Sequence, residues 1–254
     1  MTRLELTEFL EEKAQHYESP KFISTDPIQI PHEFSLKEDI EISAFLVASI
    51  AWGNRTSIIN TGKKMMALME HSPADFIRNH KASDLTHFDG FVHRTFNAED
   101  FRYFMRALQY IYNTQGGLEE VFNQAAGKGN MQQTIHDFKA LFFSLPHPTR
   151  TQKHVSDPLK GSAAKRINMF LRWMVRSSDK GVDFGLWTKL QPSQLSCPLD
   201  VHTGNIARKL KLLKRRQNDA KALLELDKSL RKMDSIDPVK FDFALFGLGA
   251  FESF

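Results

Sequence analysis

Apolar residues recur at three- and four-residue spacings along most of the chain, and strand-like alternation is hard to find, so the pattern predicts a nearly all-helical protein. The opening segment sets Leu6, Phe9, Leu10 and Lys13 along one side and predicts a first helix over 3–17. SPKFISTDPIQIPHEF follows, where Pro20, Pro27 and Pro31 prevent one continuous helix. Its apolar residues predict a connector packed against the body. DIEISAFLVASIAW is apolar on every side, the mark of a central buried helix. Gly53-Asn54-Arg55 interrupts it, and TSIINTGKKMMALME resumes as a second helix. Asn97 with Asp100 reads as an N-cap and acidic first turn for EDFRYFMRALQYIYN, which Gly116-Gly117 closes.

LEEVFNQAA and MQQTIHDFKALFFSL are shorter helices, and the polar, proline-bearing PHPTRTQKHVSDP is the internal boundary. Beyond it come SAAKRINMFLRWMVRSS, a short helix FGLWTKL, VHTGNIARKLKLL, DAKALLELDKSLRKM and PVKFDFALFGLG. The expected fold class is all-α: one helical domain over 1–254, built of two lobes that exchange near 146–158. The helix over 3–17 is expected to pack with the C-terminal lobe.

Composition sharpens this picture through charge. The chain has 254 residues with 34 Lys+Arg against 30 Asp+Glu, a net charge of only +4. The distribution is uneven. Residues 1–50 hold 4 basic and 10 acidic side chains, whereas residues 150–216 hold 15 basic and 4 acidic. A basic block of that size is the footprint of a polyanion partner or of a solvated charged face. The single cysteine, Cys197, excludes an internal disulfide, a cysteine zinc site and a four-cysteine iron–sulfur cluster. No apolar run reaches about 18 residues, so no membrane span is expected. MTRLELTEFLEEK lacks the apolar stretch of a signal peptide, and the expected location is cytoplasmic.

Phosphate-cradling GxxxxGK[ST] and GxGxxG loops, the HExxH metal motif and the GxSxG nucleophile elbow are absent, and no metal site is expected. Two segments stand out instead. In GSAAKRINMFL, Lys165 lies in the first turn of a helix beside a glycine-led turn, where free backbone N–H groups suit a phosphate. Ile167, Phe170, Leu171 and Met174 share the apolar face of that helix, and Lys165, Arg172 and Arg176 lie off it as a basic face. In PLDVHTGNIARKL, Asp200 is the natural N-cap, with Ile206, Leu210 and Leu213 as the buried stripe.

These two segments, in this order, resemble the glycine-rich hairpin and the following helix start of the helix-hairpin-helix DNA glycosylases, typified by endonuclease III. FALFGLG resembles the helix near the close of that domain. More closely, the whole chain resembles a group of uncharacterised bacterial proteins, with DIEISAFLVASIAWGNR, FVHRTFN, GSAAKRINMFLRWMVR, PLDVHTG and FDFALFGLG as its marks.

The resemblance implies a helix-hairpin-helix element, a cleft between the lobes and DNA as partner, duplex and damaged or abasic. It implies that Asp200 stabilises cationic sugar character as a base departs, and that Lys165 attacks the sugar C1′ to form a Schiff base. Gly161, Ser162 and Ala163 would grip a DNA phosphate, with an alkali cation at the hairpin and no iron–sulfur cluster. Arg166, Arg172, His202 and Arg208 would face DNA, and Trp52, Asn54 and Arg55 would fill the gap left by a flipped nucleotide.

Ala163 departs from the hairpin's second glycine, and the 35 positions between Lys165 and Asp200 require DKGVDFGLWTKLQPSQL to fold out as an excursion. Asp200 also fits a purely capping role and Trp52 a core role. HFDGFVHRTFN reads as a packed loop. A non-catalytic module binding nucleic acid or protein, and a hydrolase of another N-glycosidic substrate, remain as alternatives.

Overall fold

A computed structural model describes residues 2–126, 130–252 and 254. It is mostly helical. The helices are α1 (Arg3–Tyr17), α2 (Pro20–Ile23), α3 (Lys37–Ser49), α4 (Arg55–Leu68), α5 (Pro73–Asn79), α6 (Ala98–Thr114), α7 (Leu118–Ala126), α8 (Met131–Phe142), α9 (Lys165–Val175), α10 (Val201–Lys209), α11 (Ala220–Leu230) and α12 (Phe241–Ala250). None of them is long and apolar enough to cross a membrane. The expected connector is packed down: Pro27 and Pro31 begin short 3-10 segments, and Ile28 and Ile30 are fully buried. α3 is the central element. Its side chains from Asp39 to Ser49 are all buried, and Phe45 meets Phe104, Phe138, Phe142 and Phe170.

Two apolar cores form. The larger draws on residues between Phe22 and Leu195, together with Val239 and Phe243. The smaller combines Leu10 and Ala14 of α1, Ala163, and residues from Cys197 to Leu248. α1 lies against α12, where Tyr17 covers Gly247 so closely that any side chain there would collide with its ring. The polar segment 146–158 is built into the larger core: Thr151, His154 and Val155 are buried. Asp100 at the start of α6 holds this segment. It closes a capping box with Asn97 and accepts hydrogen bonds from Arg150 and Thr151, and His154 contacts it at 3.1 Å.

Two local expectations change. FGLWTKL is not helical; it runs along the end of α9, where Phe184 N–H donates to the Trp173 carbonyl and Trp187 N–H to that of Met174. Bonding to another element replaces helix bonding there, and Gly185 supplies a positive φ of 60°. FVHRTFN is a short hairpin, β1 (Val92–His93) paired antiparallel with β2 (Phe96–Asn97).

Candidate active site

α9 begins at Lys165 because Ala164 adopts a left-handed conformation, φ 45°, immediately before it. α10 begins after Asp200, whose carboxylate accepts the Thr203 N–H at 3.0 Å. Each candidate catalytic residue therefore stands at a helix start. Both line one cavity of about 570 Å³, together with Asp26, Trp52, Arg55, Arg166, Arg172, His202, Asn218 and Asp242. Phe22, Phe243 and Phe246 supply apolar wall. Such a mixture, apolar wall with a few convergent polar groups, is the usual composition of a small-molecule or base pocket.

The charges are arranged in layers. Arg172 is buried and donates to Asp242 at 2.5 Å while also lying 3.4 Å from Asp183. Its guanidinium rests 4.2 Å from the Phe243 ring centre. Burial pushes the Asp242 carboxyl up to about 6; the Arg172 guanidinium opposes this, the negative charge of Asp200 adds to it, and Lys165 opposes it. Asp26 is raised above the ordinary carboxylate range by burial, against the Ile28 N–H and the positive charges of Arg172, Arg55 and Lys165. Lys165, Asp200, Asp242 and Asp26 thus form one electrostatic group. Sequence reasoning missed Asp26 and Asp242. For Asp242 a signal existed: a lone acid inside the apolar run FDFALFGLG has to find a buried partner.

Several predicted DNA contacts are placed otherwise. Arg172 and Arg176 do not form an exposed basic face with Lys165. Both are buried, and Arg176 is taken by Glu18, Asp183 and Asp237. Arg172 is therefore engaged with carboxylates, not free for a phosphate. Arg208 is committed to the Arg215 carbonyl and to Asn218. Arg166 bonds the Ser49 carbonyl and stacks 4.7 Å from the Trp52 ring; burial lowers its pKa to about 10.

In the turn before α9, Gly161 N–H donates to Pro158, Ser162 N–H to Asp157 and Ala164 N–H to the Ser162 hydroxyl. Ala163 is buried in the smaller core. The backbone grip expected of Gly161, Ser162 and Ala163 is thus largely taken up inside the protein. The carbonyls of Gly161, Ala163 and Ala164 each accept one hydrogen bond, from Ala220 N–H, from the Asn168 amide and from Asn168 N–H.

The predicted gap-filling residues are also occupied. Trp52 is half-buried, stacked on His154 at 5.9 Å and met edge-on by His93 at 5.4 Å. Arg55 lies over the rings of Phe246 and Phe251. Asn54 is exposed and caps α4 by accepting the Ser57 N–H. His202 is exposed and contacts the Gly249 carbonyl at 3.2 Å. The FVHRTFN hairpin backs Trp52 through His93, and Arg94 lies across Gly53.

A family model described as "Protein of unknown function (DUF2400)" matches residues 26–251. No curated protein matches the chain, and no solved structure does.

Proposed function

The chain belongs to the DUF2400 family, whose description assigns no activity, and from its cavity we propose a DNA-repair enzyme of the helix-hairpin-helix glycosylase and abasic-site lyase type. One observation carries the reading. Lys165 and Asp200, 35 positions apart and each at a helix start, line the same cavity. In the proposed reaction Lys165 Nζ, after losing a proton, bonds to C1′ of a flipped nucleotide. The C1′–base bond breaks, and the base leaves with the electron pair and takes up a proton. Ring opening, in which O4′ takes up a proton, gives an iminium; water then removes a C2′ proton as β-elimination expels the 3′ phosphate. Asp200 stabilises the cationic sugar. Asp242 lies in the same cavity with a carboxyl able to carry a proton near neutral pH.

The test is borohydride trapping on a duplex carrying one abasic site. Hydride reduces the iminium to a stable amine, so wild-type protein is expected to give a covalent adduct and Lys165→Ala none. Asp200→Asn is expected to slow base release at least about a hundredfold. Absence of any wild-type adduct removes the lyase.

A second reading, hydrolysis of a free N-glycoside such as a nucleoside, is favoured by the internal engagement of the hairpin N–H groups and of Arg172 and Arg208. It needs no phosphate grip, and base release from free nucleosides at a rate indifferent to added DNA distinguishes it.

A further inference from the structure

Resting on the reading of this cavity as the place where a base is held, we propose that Asp26 reads the base: its carboxylate accepts an N–H from the pairing edge of an extruded nucleobase. Asp26 lines the cavity that holds Lys165 and Asp200. Its Oδ1 accepts the Ile28 N–H at 3.1 Å, which fixes the side chain as the cap of the following 3-10 turn. Oδ2 has no hydrogen-bond partner among the described residues, and it is not among the polar atoms sealed away from all solvent. One oxygen is therefore anchored and the other is open to the cavity.

Asp26 is only 7 % exposed, so the partner of its open oxygen has to come through the cavity, and a planar ligand carrying N–H groups supplies one on binding. The surrounding wall suits such a ligand. Phe22 meets Phe243 at 5.5 Å and Phe246 at 6.2 Å, both nearly edge-on, and Trp52 is braced by His154 and Arg166. Aromatic rings give a base stacking surface that does not depend on which base it is, so selectivity falls to the polar group. A site built to hydrogen-bond an N–H discriminates strongly against the analogue lacking it. The ligand class is a nucleobase with an amino or imide N–H on its pairing edge.

The experiment titrates free nucleobases into the full chain and follows tryptophan fluorescence, since Trp52 and Trp173 line the cavity. Adenine, guanine, hypoxanthine and uracil are each compared with the counterpart methylated on the pairing-edge nitrogen. Wild-type protein is expected to bind at least one base about tenfold more tightly than its methylated counterpart, and Asp26→Asn to lose that preference. Asparagine keeps the capping acceptor for Ile28, so the variant is expected to fold.

Wild-type binding with the same preference in the variant overturns the role of Asp26. Absence of base binding by a wild-type protein that still forms the abasic-site adduct overturns it too, and leaves the lyase standing. Absence of both removes the base-excision reading along with it.

Discussion

At the scale of single residues, the buried carboxyl of Asp242 makes stability pH-dependent in a definite direction. Its folded-state pKa, about 6, lies above the ordinary 3.8 because burial disfavours the charged form more than Arg172 and Lys165 favour it. The folded chain therefore holds more protons at this position than the unfolded chain between those two values. Stability contributed by Asp242 is present below about 3.8 and is lost as pH rises through about 6. Denaturant unfolding of wild type and Asp242→Asn across that window should show the wild type losing stability relative to the variant as pH rises. A difference independent of pH would remove this account. Asp200 was legible from the sequence because a capping residue announces itself by local spacing. Asp26 was not: its importance comes from a cavity assembled by segments distant in the chain, and local pattern does not encode that meeting.

Among the elements, most long helices were readable, the amphipathic ones because they bury a face with a regular repeat and α3 because it is apolar on every side. α1 and the central α3 follow that reading closely. The failures are the short α2 and α5, which were not read as helices, and the segments whose backbone bonds leave the local chain. FGLWTKL bonds to carbonyls near the end of α9, and the turn from Gly161 to Ala164 bonds both to the preceding residues and to Ala220. That turn can be probed through its two left-handed residues. Gly161 has φ 94° with open space where a Cβ would lie, so Gly161→Ala carries backbone strain without collision. It is expected to lower the unfolding free energy by about 1–2 kcal/mol. Ala164 has φ 45°, so Ala164→Gly relieves strain of that order while adding flexibility to the unfolded chain, for a net change within about 1 kcal/mol. Equal effects of the two substitutions in denaturant unfolding would mean that the turn is not held as described.

For the molecule as a whole, the basic block is smaller on the outside than its composition suggests. Arg150, Arg172, Arg176, Lys189 and Arg215 are paired with carboxylates, and Arg166 and Arg208 bond main-chain carbonyls. Lys153, Lys160, Lys180, Lys209, Lys211, Lys214 and Arg216 remain exposed. If DNA lies on this face, replacing Lys209, Lys211 and Lys214 by alanine should flatten the dependence of log affinity on log salt by about 2 to 3. A slope unchanged from wild type would place DNA elsewhere. The charge total was legible, but its internal spending was not, because ion pairing depends on which acids the fold brings near. Arg176 shows the reach of that pairing: it joins Glu18, just after α1, to Asp237, just before α12. The family match starts at residue 26, beyond both Glu18 and the helix whose Tyr17 covers Gly247. The matched residues carry the cavity apart from Phe22, and α1, which precedes them, clasps the last helix.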